Sequence, residues 1–130
     1  MSAVPDDARS VVSKFYSLLS HGEGDAVAEL VADHFGEQAR LSRPESLPGG
    51  GTISGGPIIA KFMRKAAGAA KGLQLKQLHI ASDAGAVHAF AVVELTIGTP
   101  TTAIEWWVFE SGVVTSLSAY YWDTAAIIAR

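Results

Sequence analysis

The chain has 130 residues, a length that one hydrophobic core can fill, so a single domain over residues 1–130 is predicted. Hydrophobic residues make up 48% of the chain and charged residues 18%, a balance that excludes a disordered protein. The formal net charge of −3 leaves no excess of Lys and Arg to neutralise phosphates, which argues against nucleic acid and anionic membranes as partners.

The sequence contains no cysteine, so it offers neither disulfides nor thiolate chemistry. Residues 1–7 are polar and lack the basic and then apolar order of a signal peptide. No apolar run approaches the length of a membrane-spanning helix. A cytoplasmic location is therefore expected.

Three amphipathic helices are predicted in the first part of the chain. The first follows Pro5 and places apolar residues at helical spacing, namely Ala8, Val11, Val12, Phe15 and Leu19. After a glycine-containing break, Asp25 is the expected N-cap of a second helix whose apolar face extends to Phe35. A third helix opens at Pro57 and ends by Gly72.

Residues 36–56, between the second and third helices, lose this periodicity. Pro and Gly are frequent, and only residues 39–42 suggest a strand. A long loop or irregular hairpin is predicted there.

The rest of the chain is rich in β-branched and aromatic residues, in runs separated by turn signals. Four antiparallel strands are predicted, over residues 73–81, 86–97, 101–110 and 113–122. The breaks between them are short enough for hairpins. The order is therefore helices first and a β-meander last.

The strand at residues 86–97 is apolar on both alternating sets of side chains. His88, Phe90 and Val92 form one set, and Val87, Ala89, Ala91, Val93 and Leu95 form the other. This pattern is unusual, because an antiparallel sheet normally exposes one polar face to water. If three helices cover only one side of the sheet, the other side must meet another apolar surface. A homodimer through the sheet is therefore predicted.

Four segments, taken with their order and spacing, carry a resemblance to a known superfamily. They are VVSKFY at 11–16, LVADH at 30–34, SGGPII at 54–59, and IEWWVF at 104–109 leading to GVV at 112–114. Together they resemble the nuclear transport factor 2-like superfamily, which includes ketosteroid isomerases and SnoaL-like polyketide cyclases. The resemblance implies a cone-shaped, cystatin-like α+β fold. In that fold, N-terminal helices pack on a curved, mostly antiparallel sheet and enclose an apolar pocket.

Glu105 is the first candidate catalytic residue. It resembles the position at which ketosteroid isomerases keep a protonated acid that donates a hydrogen bond to a developing oxyanion. Its neighbours, Ile104 and two tryptophans, are expected to exclude water and so raise its pKa. Alternation places Trp107 and Phe109 on the same face, as pocket-lining residues. The alternative is a structural carboxyl that pairs with an Arg or a Tyr across the sheet, or that lies in the dimer interface.

The resemblance also bears on the first helix. The tyrosine that shares the oxyanion in ketosteroid isomerases aligns with Phe15, a predicted pocket residue, and Tyr16 stands beside it. Tyr16 is a candidate catalytic residue at the cavity edge, with packing as the alternative role. The general base of those enzymes has only Glu37 and Glu45 as candidate counterparts here, and none is assigned.

His88 is the third catalytic candidate, as an acid–base partner of Glu105 on the pocket side together with Phe90. A histidine hydrogen-bonded in a core or an interface is the alternative. On the last strand, Tyr120 is expected to present its hydroxyl to the pocket.

Neither a metal nor another cofactor is expected. The four histidines show no metal-ligand spacing, and the glycine-rich stretch at 49–56 lacks the Gly-Lys-Ser/Thr ending of a phosphate-binding loop. Two functions follow from these observations. One is an isomerase-, cyclase- or dehydratase-like enzyme that acts on a small apolar, oxygenated molecule. The other is a non-catalytic ligand-binding or dimeric association module.

Overall fold

A computed structural model describes residues 5–47, 49–97 and 99–123. The helices within these residues are α1 (Pro5–Ser20), α2 (Gly24–His34) and α3 (Gly56–Ala69). The strands are β1 (Phe35–Arg43), β2 (Gly51–Ser54), β3 (Gln74–Asp83), β4 (Ala86–Ile97), β5 (Thr99–Glu110) and β6 (Val113–Tyr121). The four predicted C-terminal strands are confirmed, with ends that agree to within two residues.

The strands form one curved, open sheet in the order β2-β1-β6-β5-β4-β3, on which the three helices pack. All neighbours are antiparallel except β1 and β6, which run parallel. The predicted α+β class and mostly antiparallel sheet are confirmed. The 36–56 segment is more regular than expected, because the suggested strand lies within β1 and a second strand, β2, pairs with it.

Two tight hairpin turns keep the meander in register. Ala84 and Gly85 have φ of 50° and 83°, and Ser111 and Gly112 have φ of 52° and 83°. Two consecutive residues with positive φ make the turn whose twist matches that of paired strands. Each turn therefore returns the chain directly into the neighbouring strand.

The start of α2 and its junction with β1 differ from the prediction. Residue Glu23 occupies the N-cap without a side-chain bond, so Asp25 is not the cap. Asp25 lies in the first turn and pairs with Arg64 of α3 at 3.0 Å. Phe35 begins β1 instead of continuing the helix. Phe35 is buried in the core, and a buried apolar residue fits the pattern of a helix end as well as that of a strand start.

The core lies between the helices and the concave face of the sheet, with Trp107 at its centre. This side chain is fully buried. Its ring meets Phe15 edge-on at 4.8 Å between centroids and Phe35 at 5.7 Å. Such edge-to-face contacts add to the stabilisation from burial. They fix α1 and the start of β1 against the middle of β5.

The convex face of the sheet is partly apolar and is not covered by any residue that the structure describes. Its exposed side chains include Phe90, Ile104 and Tyr120, which are 36%, 45% and 56% exposed. Within residues 5–47, 49–97 and 99–123, no helix has the length and apolar character needed to span a membrane.

Candidate ligand pocket and its buried acid

A cavity of about 160 Å³ lies between α3 and the concave face of the sheet. Most of its wall is apolar and comes from α1, α3 and four strands, and Glu105, Arg43 and Tyr121 supply polar groups. The lining residues are Phe15, Leu19, Leu41, Arg43, Phe62, Met63, Ala66, Ala69, Ala70, Leu73, Val93, Leu95, Glu105, Ala119 and Tyr121. An apolar cavity with a few convergent polar groups is the usual form of a small-molecule site.

The carboxyl of Glu105 is tied to α1 through Tyr16. The Tyr16 hydroxyl donates to Glu105 Oε1 at 2.5 Å, and it accepts a hydrogen bond from Trp107 Nε1 at 3.0 Å. An indole nitrogen can only donate, so it takes an acceptor position on the phenol oxygen. The hydroxyl proton of Tyr16 therefore points to Glu105, and the three side chains form one directed chain of hydrogen bonds.

Burial shifts the pKa values of this cluster. Desolvation raises the pKa of Glu105 above its ordinary value, although the Tyr16 hydrogen bond and the positive charge of Arg43 oppose the shift. Glu105 is partly buried, and its exposed surface opens into the cavity. Burial, and then the neighbouring Glu105, raise the pKa of Tyr16 well above its ordinary value. Tyr16 therefore remains a hydrogen-bond donor, and the protonated form of Glu105 is favoured more than that of a solvent-exposed glutamate.

Arg43 and Tyr121 complete the polar end of the cavity, and both were missed at the level of sequence. Nη1 of Arg43 donates to the Gly49 carbonyl at 3.2 Å, and its guanidinium lies 5.4 Å from the centre of the Phe62 ring. Arg43 also shares a side-chain hydrogen bond with Tyr121. Burial, and then Glu105, raise the pKa of Tyr121.

Arg43 is the last residue of β1. The sequence pattern suggests a strand only at residues 39–42, within a predicted loop, and therefore does not single out Arg43. No local pattern pointed it towards Glu105, because the approach depends on the long-range pairing of β1 with β6.

The predictions that His88 and Phe90 face the pocket are wrong. Ala89 pairs with Trp107 and Ala91 with Glu105, so these alanines share the concave face and His88 and Phe90 point to the convex face. There, His88 Nδ1 accepts a hydrogen bond from Trp106 Nε1 at 3.0 Å. The physical reason is space, because a face packed closely against helices takes the smaller alternating set of β4.

The prediction for Tyr120 is wrong by one residue. Glu105 pairs with Ala119 and Ile104 with Tyr120, so Tyr120 lies on the convex face and Tyr121 enters the cavity. The sequence carried a signal for this assignment. Ser116 and Ser118 alternate with Tyr120, and polar residues normally mark the outer face of such a strand.

Other predicted pocket residues are divided between the cavity and its surroundings. Phe15 lines the cavity, and Glu105, Trp107 and Phe109 share the concave face as the alternation predicted. Trp107 lies behind the cavity wall, in the core. Phe109 is buried and borders a separate groove beside α1 and the end of α2.

The pocket offers no second carboxyl among the residues described. Glu37 is exposed on β1, and Glu45 is exposed beside an outer cleft that adjoins the cavity at Arg43 and Ala119. The general base therefore has no assigned residue. Within the same described part of the chain, no three His, Asp or Glu side chains are grouped as a metal site would require.

Comparisons with known proteins identify the fold. No protein-family model matches the chain, and neither does any curated protein. Solved structures match over almost the whole length. An NTF2-like protein of unknown function from Cytophaga hutchinsonii is 16% identical, with 98% of this chain and 96% of that chain covered and a TM-score of 0.63.

Two further structures agree with that match. An NTF2-like protein of unknown function from Burkholderia xenovorans is 18% identical, over 91% of this chain and 84% of that chain, with a TM-score of 0.68. A protein of unknown function with a cystatin-like fold from Methylobium petroleophilum is also 18% identical, over 95% and 80% of the two chains, with a TM-score of 0.70. The chain therefore has the NTF2-like, cystatin-like fold.

Proposed function

We propose that the protein binds a small apolar molecule carrying a carbonyl or similar oxygen and acts on it by acid–base chemistry without a cofactor. The reaction class is that of an isomerase, a cyclase or a dehydratase. The observation that carries the proposal is the buried chain Trp107–Tyr16–Glu105, which ends in an apolar cavity.

Glu105 is the proposed acid. A protonated Glu105 donates to the ligand oxygen, at which negative charge develops as a water molecule in the cavity takes a proton from a neighbouring carbon. If the proton is transferred, the resulting carboxylate is stabilised by the Tyr16 hydroxyl and by the charge of Arg43. Trp107 acts through Tyr16 as a positioning residue.

A second candidate function is a binding module without catalysis. The specific observation in its favour is that none of the described residues lining the cavity is a second carboxyl or a histidine. In that case Tyr16 and Glu105 recognise a ligand oxygen, and no proton leaves a carbon atom.

A binding assay and an exchange assay separate the candidates. Wild type, Glu105→Gln and Tyr120→Phe are tested by thermal shift against enones, lactones, epoxides and aromatic ketones, because a ligand that binds only the folded state raises the Tm. We expect one class to stabilise wild type and the Tyr120→Phe control but to lose its effect on Glu105→Gln.

The stabilising ligands are then incubated in D2O, and deuterium at the carbon beside the carbonyl is followed by NMR. An enzyme accelerates this exchange in wild type and not in Glu105→Gln. Stabilisation without accelerated exchange favours the binding module. The absence of any stabilising class would contradict both functions of the pocket.

We also propose that two copies of the chain associate through the convex face of the sheet. His88, Phe90 and Trp106 form a stacked aromatic cluster there, and Ile104 and Tyr120 continue it across β5 and β6. The same patch on a second copy is a self-complementary partner for such a surface, as a two-fold axis requires.

Sedimentation over a concentration series tests this association. We expect wild type to be dimeric and Phe90→Lys to be monomeric, because a charge in the middle of the patch would be buried without a partner. Ile58→Lys is the matched control, since Ile58 is 58% exposed on α3, away from the patch. A wild type that is monomeric at all concentrations contradicts the proposal.

We further propose a cytoplasmic location, on the grounds of the sequence alone.

A further inference from the structure

We infer that the pocket selects single-ring carbonyl compounds, and that Phe62 and Arg43 set this size limit. The inference rests on the proposed function and adds the size and shape of the ligand.

The volume of the cavity is the first argument. A cavity of about 160 Å³ is close to the size of an apolar cavity of roughly 150 Å³ that holds one benzene molecule. Sites for larger, drug-sized ligands enclose about 300–1,000 Å³. One six-membered ring with its carbonyl group therefore fills this space, whereas fused rings exceed it.

The inner end of the cavity is closed. The side chains of Phe15 and Leu19 line it from α1, and both are buried. Trp107 packs against Phe15 immediately behind this wall. The aromatic contacts leave little room for α1 to retreat, because closely packed interiors resist local displacement. A ligand cannot extend in this direction.

The outer end is restricted by a contact between two elements. The Arg43 guanidinium at the end of β1 lies 5.4 Å from the ring centre of Phe62 on α3, a cation–π distance. Nη1 of Arg43 is also bonded to the Gly49 carbonyl at 3.2 Å. A rigid second ring would have to separate Arg43 from Phe62 in order to reach the adjoining cleft at Ala119.

The polar atoms fix the orientation of the ring. Glu105, Arg43 and Tyr121 belong to the sheet, whereas Phe62, Met63 and Ala66 on the facing helix are apolar or aromatic. The carbonyl oxygen therefore points to Glu105 on the sheet, and the hydrocarbon part of the ring packs against α3.

A series of enones with matched chemistry tests the size limit. Cyclohexenone, a fused two-ring enone and a four-ring steroid enone are titrated into wild type, and the dissociation constants are measured by calorimetry or by ligand-observed NMR. We expect the single ring to bind most tightly and the fused rings to bind roughly tenfold or more weakly, because a packed wall resists added methylenes.

Phe62→Val is the variant that enlarges the outer end, and Ile58→Val on the exposed side of the same helix is its control. We expect Phe62→Val to bind the two-ring enone more tightly than wild type does, while the control keeps the wild-type order. Phe62 is only partly buried, so the shortened variant is expected to fold, and a melting curve checks this.

The possible results distinguish the inference from the proposed function. If fused-ring enones bind wild type as tightly as the single ring, the size limit is wrong and the acid–base pocket stands. If Phe62→Val folds but leaves the order unchanged, Phe62 does not set the limit. If no enone of any size binds, the proposed function and the size limit fail together.

Discussion

Tyr16→Phe removes the hydroxyl that joins Trp107 to Glu105. Its effect on stability arises because Trp107 and Glu105 each lose a hydrogen-bond partner. The Trp107 Nε1–H is in a fully buried side chain, and its hydrogen bond in the structure goes to this hydroxyl. Leaving a buried donor unpaired costs about 1–3 kcal/mol, and a lost hydrogen bond of ordinary strength costs about 0.5–1.5 kcal/mol. We expect the free energy of unfolding to fall by about 2–4 kcal/mol.

Urea unfolding monitored by tryptophan fluorescence measures this loss, because Trp107 moves from the core to water. Circular dichroism on the same samples checks that unfolding is two-state. Ser13→Ala is the control, since it removes a hydroxyl from an exposed side chain on the same helix, away from the proposed interface. Its effect should stay within about 0.5 kcal/mol.

A double-mutant cycle with Trp107→Phe isolates the hydrogen bond from other effects. Once the indole is absent, deleting the Tyr16 hydroxyl no longer leaves a buried donor unpaired, so its cost should be smaller by about 1 kcal/mol or more. Additive effects of the two substitutions, or a Tyr16→Phe protein as stable as wild type, would refute the directed chain from Trp107 to Glu105.

Three further predictions concern charge, helix contact and turn geometry. Burial raises the pKa of Glu105 above its ordinary value of 4.5, so its ionisation opposes folding and this part of the stability is lost as pH rises through the raised pKa. Glu105→Gln cannot ionise, and its Tm relative to wild type should therefore increase with pH above about 4.5, whereas a constant difference would show an unshifted carboxyl. A Cβ on Gly24 would meet the Arg64 carbonyl oxygen at 2.5 Å, so Gly24→Ala should destabilise the protein by about 1–3 kcal/mol in urea unfolding. Gly68→Ala on α3 is the matched control, because its Cβ meets open space and should stabilise the helix by up to about 1 kcal/mol; a harmless Gly24→Ala would disprove the close approach of α2 to α3. Ala84 has a φ of 50°, which favours glycine, so Ala84→Gly should raise the Tm by an amount that corresponds to about 0.5–1 kcal/mol. Ala86→Gly within β4 is the control and should lower the Tm. A lower Tm in both variants would contradict the positive φ at Ala84.

Local signals were sufficient for much of the architecture. The meander was predictable because β-branched runs alternate with short turns, and Ala84-Gly85 and Ser111-Gly112 form those turns in the structure. The alternation that placed Glu105 with Trp107 and Phe109 also holds, because β5 is regular over those residues. Tyr16 could be proposed from the resemblance, but its hydrogen bond to Glu105 joins residues 89 positions apart and has no local signature.

The sequence alone predicted the order of elements, and the resemblance added the fold class and the candidate residues Glu105 and Tyr16. Only the tertiary structure decided which face of β4 and β6 lines the pocket, and which residue ends β1 beside Glu105. Both alternating sets of β4 are apolar, and a strand shifted by one residue reverses every side chain, so composition cannot choose between its two faces. The choice is made by the packing of α1 on Trp107 and by the pairing of β1 with β6, contacts between residues far apart in the chain.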